Sequence, residues 1–353
     1  MAKLNFTAKQ IAKAMLPRLI DSLTFPNLIH RDAALGEVAE CGDVVSVSCP
    51  ARLIADESAI PAENSARCAV DVVLDRIASV DFPVDAVESA EDFSSVIRRF
   101  IEPAAAALAE KINADGLTLY RDIPYVAGEA GITPDGFDAI AKASYKFDVN
   151  KVPFYNRSAV WDVLATSKLK QVSAIANAEM CGTNSALRAN AIGRVLGIDN
   201  YMSGNVAEHI PTYSGMLTLA ADATDAEEVT LTATVDGTLK HGDLLKVSGQ
   251  TYTVLADAEV SGSSVTVKVC PKMTSTANKS VALLPQHSAN LIFQTNAFVF
   301  VSRPLPKIEG MEYFADCSEG VSLRVVRGGN SLSVDVLYGY HTISPECAIR
   351  YLG

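Results

Sequence analysis

Recognisable chemistry is what this 353-residue chain has least of. Its five histidines, His30, His209, His241, His287 and His341, stand apart in the sequence, with no HExxH pair and no His-Cys cluster, so no metal site is expected. The nucleophile-elbow pattern GxSxG is missing, and so are the phosphate loop GxxxxGK[ST] and a full GxGxxG, which removes the usual signs of hydrolases and nucleotide binders. The seven cysteines, Cys41, Cys49, Cys68, Cys181, Cys270, Cys317 and Cys347, are odd in number and form no CxxC. That excludes a disulfide framework and a zinc ribbon and fits a reducing compartment. Neighbouring carboxylates such as Asp56/Glu57 and Glu227/Glu228 read as solvated turns. No catalytic, metal-binding or cofactor-binding residue is therefore expected, and no cofactor.

Long apolar runs are also missing. Mean hydropathy is high at +0.18, yet no stretch approaches the ~20 residues that cross a bilayer, so no membrane partner is expected. The first residues carry Lys9 and Lys13 where a secretory signal would be continuously apolar, and export is not expected. Basic charge is in short supply: 30 Lys and Arg stand against 41 Asp and Glu, a formal net charge of -11. A duplex-DNA reader gains affinity by neutralising phosphates with Lys and Arg, so nucleic acid near this chain is expected to be contacted weakly and without sequence preference.

What remains is material for a folded body, with 49% hydrophobic and 20% charged residues, enough for two or three domains. The longest regular pattern runs from residue 89 to about 120. Ser89 and Asp92 read as a capping box, and Phe93, Ile97, Phe100, Ile101, Ala104, Leu108 and Ile112 recur at helical spacing. A helix of roughly 30 residues reaches ~45 Å. Pro103 is expected to bend it, and Asp115-Gly116 offers an earlier end. Taken alone, this reads as a core helix of an ordinary enzyme.

Residues 1 to about 30 read as a basic segment in which Lys3, Lys9, Lys13 and Arg18 accompany Ile11, Met15 and Leu16 on a short helix that Pro17 bends or ends. It is either a loosely docked terminus or an arm that grips a neighbour. The pattern of residues 43–49 and the alternation Val70, Val72, Leu74 predict a long hairpin with residues 50–67 as its polar tip, lying on its own domain or on another molecule. Thr133-Pro134-Asp135 is read as a helix start with Phe137, Ile140 and Ala141 inward, and residues 151–155 as a short strand. Asn156 or Ser158 is read as the cap of a helix carrying Val160, Trp161, Val163 and Leu164. A further apolar segment turns through Gly193 and Gly197 into an extended stretch, residues 198–202. From about Pro211 to about Gln286 the chain becomes rich in Thr, Val, Ser and Gly. Alternation at Val229, Leu231, Ala233 and Val235, and at Val265, Val267 and Val269, is punctuated by Asp236-Gly237, Ser248-Gly249 and Ser261-Gly262-Ser263. This predicts a small barrel or sandwich inserted into an α+β chain.

The order of these parts, together with residues 191–199 (AIGRVLGID), 238–252 (TLKHGDLLKVSGQTY), 296–306 (NAFVFVSRPLP) and 337–346 (LYGYHTISPE), resembles one family. The chain looks like a tailed-bacteriophage major capsid protein of the Hong Kong 97-type fold, in the branch related to the Salmonella phage coat protein that carries an inserted β-barrel domain. The resemblance implies an α+β fold divided as follows: an N-terminal arm (1–35), an extended hairpin loop with peripheral strands (36–88, the hairpin about 42–80), a spine helix (89–121), an axial domain (122–210), an inserted barrel (211–290) and a return to the axial and peripheral domains (291–353). It implies a structural protein and not an enzyme, assembling in a bacterial cytoplasm as pentamers and hexamers into the icosahedral shell of a virion around double-stranded DNA. The partners it implies are further copies, a separate scaffolding protein, a portal protein and a decoration protein. Residues 50–67 contain Arg52 and Arg67 but no Lys, so the isopeptide crosslink of some relatives is not expected. The alternatives are an encapsulin-like compartment and an enzyme with a β accessory domain.

Overall fold

The computed structural model describes residues 7–32, 38–48, 69–83, 93–176, 192–328 and 331–353. The chain divides into two compact units, residues 1–116 with 298–343, and residues 117–297 with 344–353.

The first unit is built on a six-stranded sheet. Strand Ser331–Thr342 pairs antiparallel with Phe298–Arg303, Val321–Gly328 and Arg76–Pro83, while His30–Arg31 and Glu312–Ser318 lie at the ends of the path. Phe298–Arg303 is buried at every position, as a strand covered on both faces must be. The N-terminal helix Ala8–Ser22 is opened by a capping box between Thr7 and Gln10 and continues past Pro17, which does not end it. Its face Ile11, Met15 and Leu19 is no more than 1% exposed and packs on strands Glu312–Ser318 and Val321–Gly328, so apolar burial outweighs the one hydrogen bond a proline removes. The segment does not wait for a neighbour to cover it.

Val44–Ser48 and Ala69–Val73 form the expected antiparallel hairpin. The tip, residues 50–67, lies outside the described residues. The hairpin is shorter at its base than expected: residues 76–83 leave it and join the six-stranded sheet. The long helix also differs from expectation. The proposed cap at Ser89 and Asp92 lies outside the described residues. From Phe93 one α-turn gives way to a π-helical turn, Ile97–Ile101, and then to a regular helix, Glu102–Leu117, followed by a 3-10 turn, Thr118–Asp122. The wide turn sits just before Pro103, whose nitrogen has no proton to give, so the missing hydrogen bond is accommodated there. Gly116 does not end the helix. A Cβ at this position would lie 2.4 Å from the Phe25 ring and 2.9 Å from that of Tyr340, so the glycine serves close packing.

The second unit holds a seven-stranded mixed sheet in the order Val126–Gly128, Ala348–Leu352, His287–Gln294, Arg157–Trp161, Ile198–Met202, Gly193–Val195, with Glu208–His209 also pairing to His287–Gln294. Helix Phe137–Val149 covers it, burying Ala139, Ile140, Ala143 and Phe147. Phe137 is 39% exposed and off that face, because the helix begins after Gly136 and not at Thr133-Pro134. Residues 157–161, expected in a helix, are a strand buried at every position. Asp162 caps the helix that follows, Val163–Leu169, its carboxylate accepting from the Ala165 N–H at 2.6 Å. Residues 151–155, expected as a strand, lie outside any strand. The turn at Leu196-Gly197, with φ of 49° and 77°, folds Gly193–Val195 back on Ile198–Met202.

Between Glu208–His209 and His287–Gln294 the chain makes a closed six-stranded barrel from Leu217–Leu219, Ala223–Ala233, Ser264–Ser275, Gln250–Val254, Leu244–Val247 and Ser280–Leu283. Val229, Leu231, Ala233, Val265, Val267 and Val269 all point into its core, as their alternation predicts, whereas Val235 lies beyond the strand and is 54% exposed. The small barrel anticipated for this region is thus present within an α+β chain.

Candidate functional site: exposed apolar faces and a buried joint

Three features could carry function, and each is built from a different kind of side chain. The first is the hairpin. Its inward residues Val47 and Val72 are 3% and 0% exposed in a small core with Leu74, Val299, Val301 and Leu337, while Val44 and Val73 on the outer side are 59% and 47% exposed. The hairpin base rests directly on strand Ser331–Thr342: a Cβ on Gly339 would lie 2.2 Å from the Val73 carbonyl oxygen. The long helix is tied to the sheet at Ile112, whose carbonyl accepts from Tyr340 Oη at 2.9 Å, and at Asp115. Asp115 accepts from Tyr338 Oη at 2.6 Å and from Lys111 Nζ at 2.9 Å, and Arg76 Nη1 donates to the Asp115 carbonyl at 2.9 Å. Burial, reinforced by that carboxylate, pushes the Tyr338 phenol up, so it stays a donor throughout the accessible pH range.

The second feature is an apolar surface on the second unit. Tyr145 and Val149 on the outer side of helix Phe137–Val149, and Phe154 and Tyr155 just after it, are 69%, 59%, 73% and 59% exposed. Val163 and Leu164, at the start of helix Val163–Leu169, are 55% and 56% exposed. Phe154 is held in place by Arg157, whose guanidinium lies 4.8 Å from its ring centroid and 5.0 Å from that of Phe147. So many large uncovered side chains on one chain are a sign of surface meant to be covered.

The third is a buried polar joint at the foot of the barrel. His209 and His287, isolated in the sequence, are partners in strand register, with ring centroids 5.4 Å apart. Tyr120 Oη donates to His209 Nδ1 at 3.1 Å, and His209 Nε2 donates to Asp243 Oδ1 at 2.8 Å. His287 Nδ1 donates to the Pro285 carbonyl at 2.7 Å, leaving Nε2 to accept from Arg350 Nη2 at 2.7 Å. Arg350 Nη1 donates to the Gly242 carbonyl at 2.7 Å, and its guanidinium carbon lies 4.5 Å from the Tyr120 ring centroid. His287, which must accept from a guanidinium, is therefore neutral, and neutral His209 is the opposite tautomer, with its proton on the nitrogen facing Asp243. Burial and then the Arg350 charge lower His287 to about 4. Burial also lowers His209, with the Asp243 hydrogen bond working against it, and lowers Arg350 to about 9. Tyr120, His209 and Asp243 have the residue types of a proton relay, but they are 2%, 6% and 1% exposed, so no substrate reaches them. Single-sequence reading missed this cluster because its members come from five separate segments and no short-range spacing connects them.

An open cleft of about 440 Å³ in the second unit is lined by Glu129, Asp135, Asp138, Lys142 and Tyr351, among others. Its lysine is already engaged by Asp138 at 2.6 Å. Among the described residues no group of three or more His, Cys, Asp or Glu could hold a metal ion, and no helix is long and apolar enough to cross a membrane. Cys41, Cys270, Cys317 and Cys347 are free thiols.

No protein-family model matches the chain, and no curated protein does. Solved structures resemble it over most of its length. A chain from Mycobacterium phage Che8 is 18% identical with a TM-score of 0.48, covering 93% of this chain and 90% of its own. A chain from the capsid structure of Cyanophage P-SCSP1u is 13% identical with a TM-score of 0.46, covering 94% and 88%. A chain of the virus-like particle from Pyrococcus furiosus is 9% identical with a TM-score of 0.40, covering 97% and 97%.

Proposed function

We propose that the chain is the major capsid protein of a tailed bacteriophage, a structural and non-catalytic subunit that closes into an icosahedral shell around double-stranded DNA. The observation that carries this reading is the number of large apolar side chains the single chain leaves open, at Val44 and Val73 on a two-stranded strip and at Tyr145, Val149, Phe154 and Tyr155 on the second unit. Surfaces of this kind on two different parts of one chain suit a subunit that meets several copies of itself through distinct contacts. Each contact is modest and their sum is large, so a misplaced subunit can leave before the shell closes. The order of parts supports the same reading: hairpin, long helix with a π-helical turn, mixed sheet, and a barrel that leaves and rejoins that sheet at paired strands.

In this reading the first unit, with hairpin and long helix, supplies the peripheral part, and the second supplies the axial part and the inserted domain. The exposed face around Phe154 then lies where subunits crowd within pentamers and hexamers. The net charge of -11 suits a container lining, because a basic one would hold incoming phosphates and resist packing. A separate scaffolding protein, a portal and a decoration protein belong to this reading as partners, assembly takes place in the bacterial cytoplasm, and the finished location is the virion.

Negative-stain electron microscopy of the expressed full chain, with and without co-expressed scaffolding protein, tests the proposal. Closed shells of uniform diameter are expected. A chain that stays monomeric by sedimentation across concentration, salt and scaffold would overturn it, and shells loaded with an enzyme instead of nucleic acid would replace it with a cellular compartment.

A further inference from the structure

The barrel is an excursion from the sheet, and its entry and exit strands are fastened side by side at His209 and His287. The side chains that meet there, Tyr120, His209, Asp243, His287 and Arg350, are at most 6% exposed, with the more exposed pairs Gln286–Glu208 and His241–Asp122 beside them. We propose that this joint is an acid-sensitive latch: protonation of the buried imidazoles, His287 first, loosens the foot of the barrel from the sheet while the barrel's own apolar core stays closed.

The geometry singles out His287. Its Nε2 is the acceptor for Arg350 Nη2 at 2.7 Å, so a proton there sets two donors and two positive charges against each other in a site without water access. Arg350 has little freedom to turn away, since Nη1 is held by the Gly242 carbonyl and the guanidinium is stacked on Tyr120. Its Nε already lacks a partner. The charged and titratable groups around the pair are Arg350 from the C-terminal strand, Tyr120, Arg121 and Asp122 from the turn after the long helix, Glu208 beside His209, and His241 and Asp243 from the barrel. Asp243 is the carboxylate in direct contact, and it is occupied by His209 and by the Lys240 N–H at 2.8 Å. A proton on His209 is therefore compensated by direct contact, whereas one on His287 faces Arg350 directly and Asp243 only at a distance.

The direction follows from linkage. The closed joint holds His287 at about 4, while an opened joint returns it to the ordinary 6.5. Between those values the open form binds more protons, so acid favours opening, and the effect is complete below pH 4. From His287 alone, the opening equilibrium rises about 30-fold between pH 8 and pH 5.

Hydrogen exchange of the full-length chain, corrected for intrinsic rates, reads this directly. Segments 208–209, 240–243, 285–291 and 348–353 are expected to open about 30-fold more at pH 5 than at pH 8, while barrel strand Ser264–Ser275 and the first unit's strand Ser331–Thr342 keep their protection. His287→Gln retains an amide acceptor for Arg350 without a titrating ring and is expected to remove the His287 share of the response, leaving only the smaller part due to His209. Equal protection of the joint at both pH values, or an unchanged response in H287Q, would overturn the latch. Should H287Q not fold, an NMR titration of the wild-type imidazoles decides: a His287 midpoint below pH 5 sustains the proposal, and one at or above pH 5 refutes it.

Discussion

The barrel and the hairpin are both made of short alternating strands, yet they end in opposite states. In the barrel six strands close on themselves, so Leu231, Val247, Val267 and Val281 meet one another and no more than 4% of any is exposed. In the hairpin two strands lie alone as a strip, with Val47 and Val72 inward and Val44 and Val73 left outside. Closure satisfies both backbone edges and both ends of the alternation within one stretch of chain, whereas a two-stranded strip satisfies one face at most. The same strand chemistry therefore yields a self-sufficient module in one place and an adhesive surface in the other.

The comparison can be broken by substitution. Leu231→Ala, at a fully buried barrel position, is expected to cost about 2–5 kcal/mol by chemical denaturation, because the closed core cannot collapse into the cavity. A loss under about 1 kcal/mol would mean that the barrel is loosely packed. Gly339→Ala strikes the hairpin where it leans on its sheet. The added methyl would meet the Val73 carbonyl and is expected to cost about 1–3 kcal/mol and to raise protease sensitivity around residues 44–48 and 69–73. Retained stability with unchanged proteolysis would show that the hairpin base is not seated there. Val73→Ser is the mildest: at 47% exposed it should alter monomer stability by no more than about 0.5 kcal/mol. It should nevertheless lower the yield of assembled shells in the electron-microscopy assay, and a drop in monomer stability without any loss of assembly would reverse the roles given to the two faces.

Much of the all-β region was legible without coordinates. Val265, Val267 and Val269 alternate strictly, and Ser248-Gly249 has the residues that a tight hairpin turn with φ of 50° and 86° requires. The region around Trp161 was misread for an equally local reason. A run such as Ser-Ala-Val-Trp with a capping Asp after it fits a helix as well as a strand, and only burial on both sides makes it a central strand. Pro17 and Gly116 were read as breakers from their intrinsic preferences. The packing of Leu19 against the sheet and of the Phe25 ring against Gly116 overrode both.

Periodicity of two and turn chemistry act between near neighbours, so the existence of the barrel, the hairpin strands and the long helix could be read from residue order alone. The meeting of His209 with His287, the choice of Arg350 and Asp243 as their partners, and the decision that Val163 and Leu164 face outward depend on strand register and on which faces find a partner. Those are contacts between distant parts of the chain, and no local preference of the residues involved contains them.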